Sequence, residues 1–243
     1  MLSESSIVLL GNFNPVIFHP EWFDRFKILP SHETQWAEGE KPKITEVPFK
    51  DKKIVIQEVP AIMVRPDLAE LQFPSITLRV NPTRFQCQTL EREKFNLVRE
   101  VTTKIFTLLS HTPIEALGIN FHGHCKFADD SDKILKSLFA KREESFQKIF
   151  EGGYQVEGQF VFQRRGQRGA VRFEVSKKMD GGIYIGSNFH SEIETHTADQ
   201  VIQLIDENYE KDLEEVLTIV RNLIGEPKET WTFKTEKQQS LRS

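Results

Sequence analysis

Residues 118–127 read GINFHGHCKF, and the architecture turns on whether their polar side chains form a site or one side of a strand. Two histidines one residue apart beside a cysteine suggest a metal site, but strand alternation gives another account. Ile119, Phe121, Cys125 and Phe127 point one way, while Asn120, His122, His124 and Lys126 point the other. A strand with one apolar and one polar side belongs to a sheet that is covered on a single face.

The neighbouring segments repeat the pattern. Thr77 and Arg79, Gln86 and Gln88, Arg172, Glu174 and Ser176, and Asn188 and His190 each alternate with apolar residues. Strands are expected at 7–13, 54–64, 76–80, 84–89, 117–127, 154–163, 170–176 and 182–190. Asn81-Pro82-Thr83, the turn 165–169 and Asp180-Gly181-Gly182 join several of them as hairpins. Helical spacing appears over 91–110, where Phe95, Val98, Val101, Ile105 and Leu108 or Leu109 recur, and over 130–150, closed by Gly152-Gly153. A third helix opens at a capping box, Thr197 to Gln200, and runs to Gly225. A short one follows Pro20.

The predicted fold class is α+β, with antiparallel sheet and helices packed on one face. Strands over 54–89 feed a helix at Glu91, and strands over 154–190 feed a helix at Ala198. This suggests a duplicated β-β-β-α unit, echoed in SITLRVNPTRFQCQ against AVRFEVSKKMDGGIYIG and in the repeated NFH at Asn120 and Asn188. The expected division is an N-terminal half over 1–127, a C-terminal half over 128–236 and a disordered tail over 237–243, with 24–53 an irregular connection.

Composition narrows the function classes. The 243 residues carry a net charge of -4, so contact with nucleic acid or an anionic surface has to come from a local patch. Phenylalanine, at 19 residues, is the main core-forming side chain. Two cysteines cannot build a disulfide framework. The N-terminal apolar run, Ile7 to Leu10, is far shorter than a membrane span or leader needs. A cytoplasmic protein is expected.

Three candidate surfaces follow. The first is the polar sheet face, with Asn120, His122, His124, Lys126, Arg79, Gln86, Gln88 and His190, suited to hydrogen-bonded recognition of another protein. The second is a basic hairpin over 164–178, carrying Arg164, Arg165, Arg168, Arg172, Lys177 and Lys178, which could track the phosphates of a nucleic acid. The third is a metal site in which His122 and His124, about 7 Å apart by strand geometry, are joined by His190 from the stretch that also holds Glu192, Glu194 and His196. No P-loop, G-x-S-x-G, H-E-x-x-H or dinucleotide fingerprint occurs, so no catalytic residue and no cofactor is expected. Cys125 alternates to the apolar side, which suits packing better than nucleophilic work.

The segment LLSHTPIEALGINF, preceded by LRVNPTRFQCQT, resembles a group of uncharacterised bacterial proteins that share a helix, an H-T-P step and an A-x-G-[IL]-N strand. His111, Thr112, Pro113, Ala116, Gly118 and Asn120 carry the resemblance. It implies a bacterial or phage-related cytosolic α+β protein and no particular activity. The leading expectation is a non-enzymatic interaction subunit or adaptor of the kind found in bacterial defence or immunity-like systems. A nucleic-acid-binding protein using the basic hairpin and a metal-dependent enzyme using the three histidines are the alternatives.

Overall fold

The first strand of the chain lies in the middle of the sheet. In the computed structural model, which describes residues 1–31, 33, 44–49, 52–57, 62–140 and 154–232, β1 (Glu4–Gly11) runs antiparallel between β7 (Arg84–Thr89) and β8 (Ile114–Lys126). Beyond β7 come β6 (Thr77–Asn81), β5 (Leu68–Gln72) and the edge strand β4 (Ile62–Arg65). Beyond β8 come β11 (Ile183–Glu192), β10 (Gln167–Val175) and the opposite edge β9 (Gly158–Arg164). The short β12 (Glu229–Thr230) pairs with β8 beyond the start of β1 at Glu4, while β2 (Ile44–Phe49) and β3 (Lys52–Gln57) form a separate two-stranded sheet. The helices are α1 (Pro20–Arg25), α2 (Phe95–Leu108), α3 (Ser131–Phe139) and α4 (Ala198–Leu223). The expected α+β class is what the chain adopts.

The duplication is present in the topology and is larger than three strands and a helix. One unit runs β1, α1, the meander β5-β6-β7, then α2; the other runs β8, α3, the meander β9-β10-β11, then α4. In each, the last meander strand pairs back onto the first strand of its unit. The two units meet at the β1–β8 seam. The segments SITLRVNPTRFQCQ and AVRFEVSKKMDGGIYIG occupy matching meander positions, but the NFH echo has another meaning. Asn120 and Asn188 face each other across β8 and β11 within one unit. The sheet passes residue 127 without a break, and β8 groups with the strands that follow it.

Several boundaries differ from expectation. The single strand expected over 54–64 is two elements, β3 and β4, and the region taken as irregular connection contains β2 and the start of β3. No strand is expected from LAELQ, whose residues favour helices, yet it forms β5; pairing of Glu70 with Arg79 and Leu71 with Leu78 holds it extended. The turn expected over 165–169 shrinks to Arg165-Gly166, both at positive φ (51° and 76°), the two-residue geometry that suits strand twist. α2 is preceded by a 3-10 turn at Arg92–Lys94. At the start of α4, Gln200 Oε1 accepts from Thr195 N–H at 3.0 Å instead of closing a box on Thr197. The second part of the helix expected over 130–150 and the tail over 237–243 lie outside the described residues.

The core follows from the apolar faces. Ile7, Leu9, Phe85, Cys87, Ile119, Phe121, Phe173, Ile185 and Phe189 all point to the helix side and are buried. α2 meets them with Phe95, Val98, Val101, Ile105 and Phe106, and α4 with Val201, Ile205, Tyr209, Val216 and Val220. Of the two leucines proposed to end the α2 stripe, Leu109 packs on the core and Leu108 is exposed. Tyr209 fastens three elements: its hydroxyl donates to the Phe95 carbonyl at 2.9 Å and lies 2.6 Å from Ser5 Oγ, while its ring meets Phe121 edge-on at 5.3 Å. A buried hydroxyl with two partners carries no desolvation penalty left unanswered. With α2 and α4 on this side, no helix among the described residues covers the other face of the sheet.

Candidate functional site: the open sheet face

Antiparallel pairing sorts the open face into rows that cross both units. One row is Thr77, Gln88, Ser6, Asn120, Asn188 and Ala170; the next is Glu70, Arg79, Gln86, Val8, Gly118, His190 and Arg168. A third holds Asn81, Arg84, Leu10, Ala116 and Glu192, and on the far side Glu4, His122, Gly186 and Arg172 form a fourth. Every residue assigned to the polar face from alternation, Arg79, Gln86, Gln88, Asn120, His122, His124, Lys126 and His190, is on this one side of the sheet.

The central side chains are tied to one another. Asn188 Nδ2 donates to Asn120 Oδ1 at 2.7 Å, and Asn120 Nδ2 donates to Ser6 Oγ at 3.3 Å. On the other side of β1, Arg84 donates to Gln86 Oε1 at 3.0 Å and Gln86 Nε2 to Gln88 Oε1 at 2.6 Å. Such ladders fix amide orientation before any partner arrives, which lowers the ordering cost of binding. Between them β1 presents Val8 and Leu10, the latter 43 % exposed, next to Ala116. Glu4, Ser6, Val8, Leu10, Asn120 and His190 are among the residues lining a shallow depression of about 410 Å³ here. Alternation alone does not place Val8 and Leu10 on this face. An apolar run such as IVLL suits a strand buried on both sides, and only the absence of a covering layer exposes its alternate members.

The histidines occupy a second cluster at one end of the face. Gly186 has no side chain, and a Cβ there would lie 2.7 Å from the Tyr184 hydroxyl. Tyr184 therefore lies over it and hydrogen-bonds His122 Nδ1, with the Arg172 guanidinium 5.6 Å from its ring centre. His124 Nδ1 is 2.9 Å from Ser176 Oγ, and Trp231 packs beside its ring under the Lys178 ammonium. Burial, reinforced by Arg172 and His124, pushes the His122 imidazole down to about 4, and burial with Lys178 does the same to His124. Both are neutral at physiological pH. Tyr184 and Trp231 were not singled out from sequence, because a lone aromatic gives no periodic signal.

The metal alternative is corrected by register. His122 lies opposite Gly186 and His190 opposite Gly118, so His190 is displaced about 13 Å along the strands from His122 and further from His124. Among the described residues no three His, Cys, Asp or Glu side chains gather as a metal site would require. β11 ends at Glu192, and Glu194 and His196 leave strand geometry. Cys125 is buried on the helix side, its thiol donating to the Met1 carbonyl at 3.0 Å and its pKa raised by desolvation.

The basic hairpin is dispersed as well. Arg164 and Arg165 leave the open face and turn onto α4. Arg165 contacts Asp212 at 2.6 Å and Glu215 at 3.1 Å, and Arg164 pairs with Glu215. Asp212 is fully buried; burial raises its carboxyl to about 6 against the opposing pull of Arg165. Arg172 pairs with Glu174 at 2.8 Å, and Lys178 stands over Trp231. Of the six basic residues expected to gather there, Arg168 is on the open face beside His190, and Lys177 is exposed in the loop after β10. The hairpin is a clamp on α4, and the continuous phosphate-tracking cluster expected from the sequence does not form.

No protein-family model and no curated protein matches the chain. No helix among the described residues is long and apolar enough to cross a membrane.

Proposed function

We propose that the protein is a non-enzymatic recognition subunit that binds another protein through the open sheet face. The observation that carries this reading is the arrangement around β1, where the apolar side chains of Val8, Leu10 and Ala116 are framed by Arg84, Gln86, Asn120, Asn188 and His190. An apolar centre with a hydrogen-bonding rim is the anatomy of a protein interface. The internal amide bonds leave no activated nucleophile or acid and base pair at the centre, and the charges at the rim are of both signs. A long anionic polymer would call for one sign. An obligate phosphate contact is disfavoured for the same reason, since Arg79 lies beside Glu70, and Arg172 is paired to Glu174.

The test uses a photo-crosslinking residue placed at Gln88 on the open face or, as control, at Gln203 on the exposed side of α4, in the full chain inside its host. Adducts of discrete protein mass from Gln88 alone are expected, and they should vanish in Leu10→Asp. That substitution should leave stability within about 1 kcal/mol, as exposed positions do. Equal adducts from both positions, or adducts that nuclease removes, would overturn the reading.

A further inference from the structure

The two ends of the sheet are protected very differently. β4 is four residues long and closes on Arg65, which pairs with Asp67 at 3.3 Å. β9, GQFVFQR, is seven residues long and has no charged side chain before its last position. Among the described residues its outer edge has no strand partner. Phe160 and Val161 are 37 % and 49 % exposed. Exposed, uncharged edge strands rich in β-formers pair with other strands unless something prevents it, and the usual preventive devices of Lys, Pro or a bulge are missing from β9. Phe162 packs on Phe189 and Phe160 on Phe139 and Phe173, so the edge is held in place, ready to pair.

The sequence of the edge is complementary to itself. With Val161 opposite Val161 of a second copy, antiparallel pairing sets Gln159 against Gln163 and Phe160 against Phe162, each twice. The rings meet on the helix side, and the amides meet on the open side, where they can hydrogen-bond across the strands. We propose that the chain forms a two-fold dimer by antiparallel pairing of β9 with β9 of a second copy. The axis of such a pair is perpendicular to the sheet, so both sets of helices stay on one side. The two open faces then form one continuous surface.

Sedimentation velocity on the full chain, from micromolar to hundred-micromolar concentration, reads the association directly. Wild type is expected to move from monomer to dimer. Two variants test the register: one carries Gln159→Lys with Gln163→Lys, the other Gln159→Glu with Gln163→Glu. Both positions are exposed side chains, and unchanged thermal melts confirm the fold. Each variant alone puts like charges opposite one another, which should raise the dimer dissociation constant at least about 30-fold. Mixed in equal amounts, the two should recover a dimer containing one of each. A wild type that stays monomeric across the range overturns the proposal. So does a dimer indifferent to the charges, which would use another surface, or a mixture that fails to recover association.

Discussion

Arg165→Gln separates a structural arginine from a ligand-binding one, and its effect can be worked from the clamp on α4. The side chain is 31 % exposed, while the carboxylates it serves, Asp212 and Glu215, are 0 % and 7 % exposed. Removing one member of a fully buried pair costs about 3–5 kcal/mol. Partial exposure of the arginine lowers that. Arg164 remains beside Glu215, and Asp212 can escape by taking up a proton, which together bring the expected loss to about 2–3 kcal/mol near neutral pH. Backbone strain does not enter, because Arg165 already sits at φ 51° and glutamine fares no worse there. The proton escape fixes a pH signature. The Asp212 carboxyl titrates at about 6 in the folded protein, against about 3.9 in an unfolded chain. The native state therefore holds more protons through that window, and the contribution of this group to stability falls as pH rises from about 4 to about 6, then levels. Without Arg165 only the Gln167 amide, 3.4 Å from Asp212 Oδ2, opposes desolvation, so the folded pKa climbs further and the falling window extends upward. The cost of Arg165→Gln, read as the shift in urea midpoint at constant slope, should thus be small near about pH 5 and largest above about pH 7. Adding Asp212→Asn should restore most of the loss. A cost under about 0.5 kcal/mol, or one independent of pH, would refute the clamp and return Arg165 to the pool of available cations.

Two further outcomes test the assignment of faces. Phe121→Ala, at a ring that is fully buried against Phe95 and Tyr209, should cost about 3–5 kcal/mol in chemical denaturation; a loss below about 1 kcal/mol would mean that the helix side of β8 is not the core. His122 and His124 titrate at about 4. Unfolded histidines bind protons near 6.5, so stability is full above that value and declines as pH falls toward 4, by about 1–2 kcal/mol for His122 after allowance for its partial exposure. Proton resonances of both imidazoles should stay in the neutral position at about pH 5.5, and a normal titration of either would contradict the Tyr184 and Ser176 contacts.

Local periodicity carried the elements whose environment is one-sided. β7, β8, β10 and β11 alternate cleanly because one face meets α2 or α4 and the other is left uncovered by the described helices. The 3.6-residue stripes of α2 and α4 are the complement of that face. What escaped is non-local. Nothing in SSIVLLG says that β1 inserts between β7 and β8, since its partners are set by the closing of two meanders. The partners of Arg164 and Arg165 are on a helix about 50 residues downstream, so a run of cations that is sequence-local proved to be distributed in space. His190 likewise shares a face with His122 and not a site. Face membership follows from parity, whereas proximity follows from register, and parity alone was legible.

The central position of β1 also bears on how the chain is made. Ile7 pairs with Cys87 and with Ile119, so β1 leaves the ribosome some 80 residues ahead of its first neighbour, a wait of roughly 4–16 s at about 5–20 residues per second. Throughout that interval the stretch SSIVLLG is uncharged, apolar and without a strand on either side, the composition most prone to pairing with other chains. Synonymous changes that slow translation between β1 and β7 would lengthen this exposure and lower soluble yield, although the finished protein would have the same sequence and the same stability.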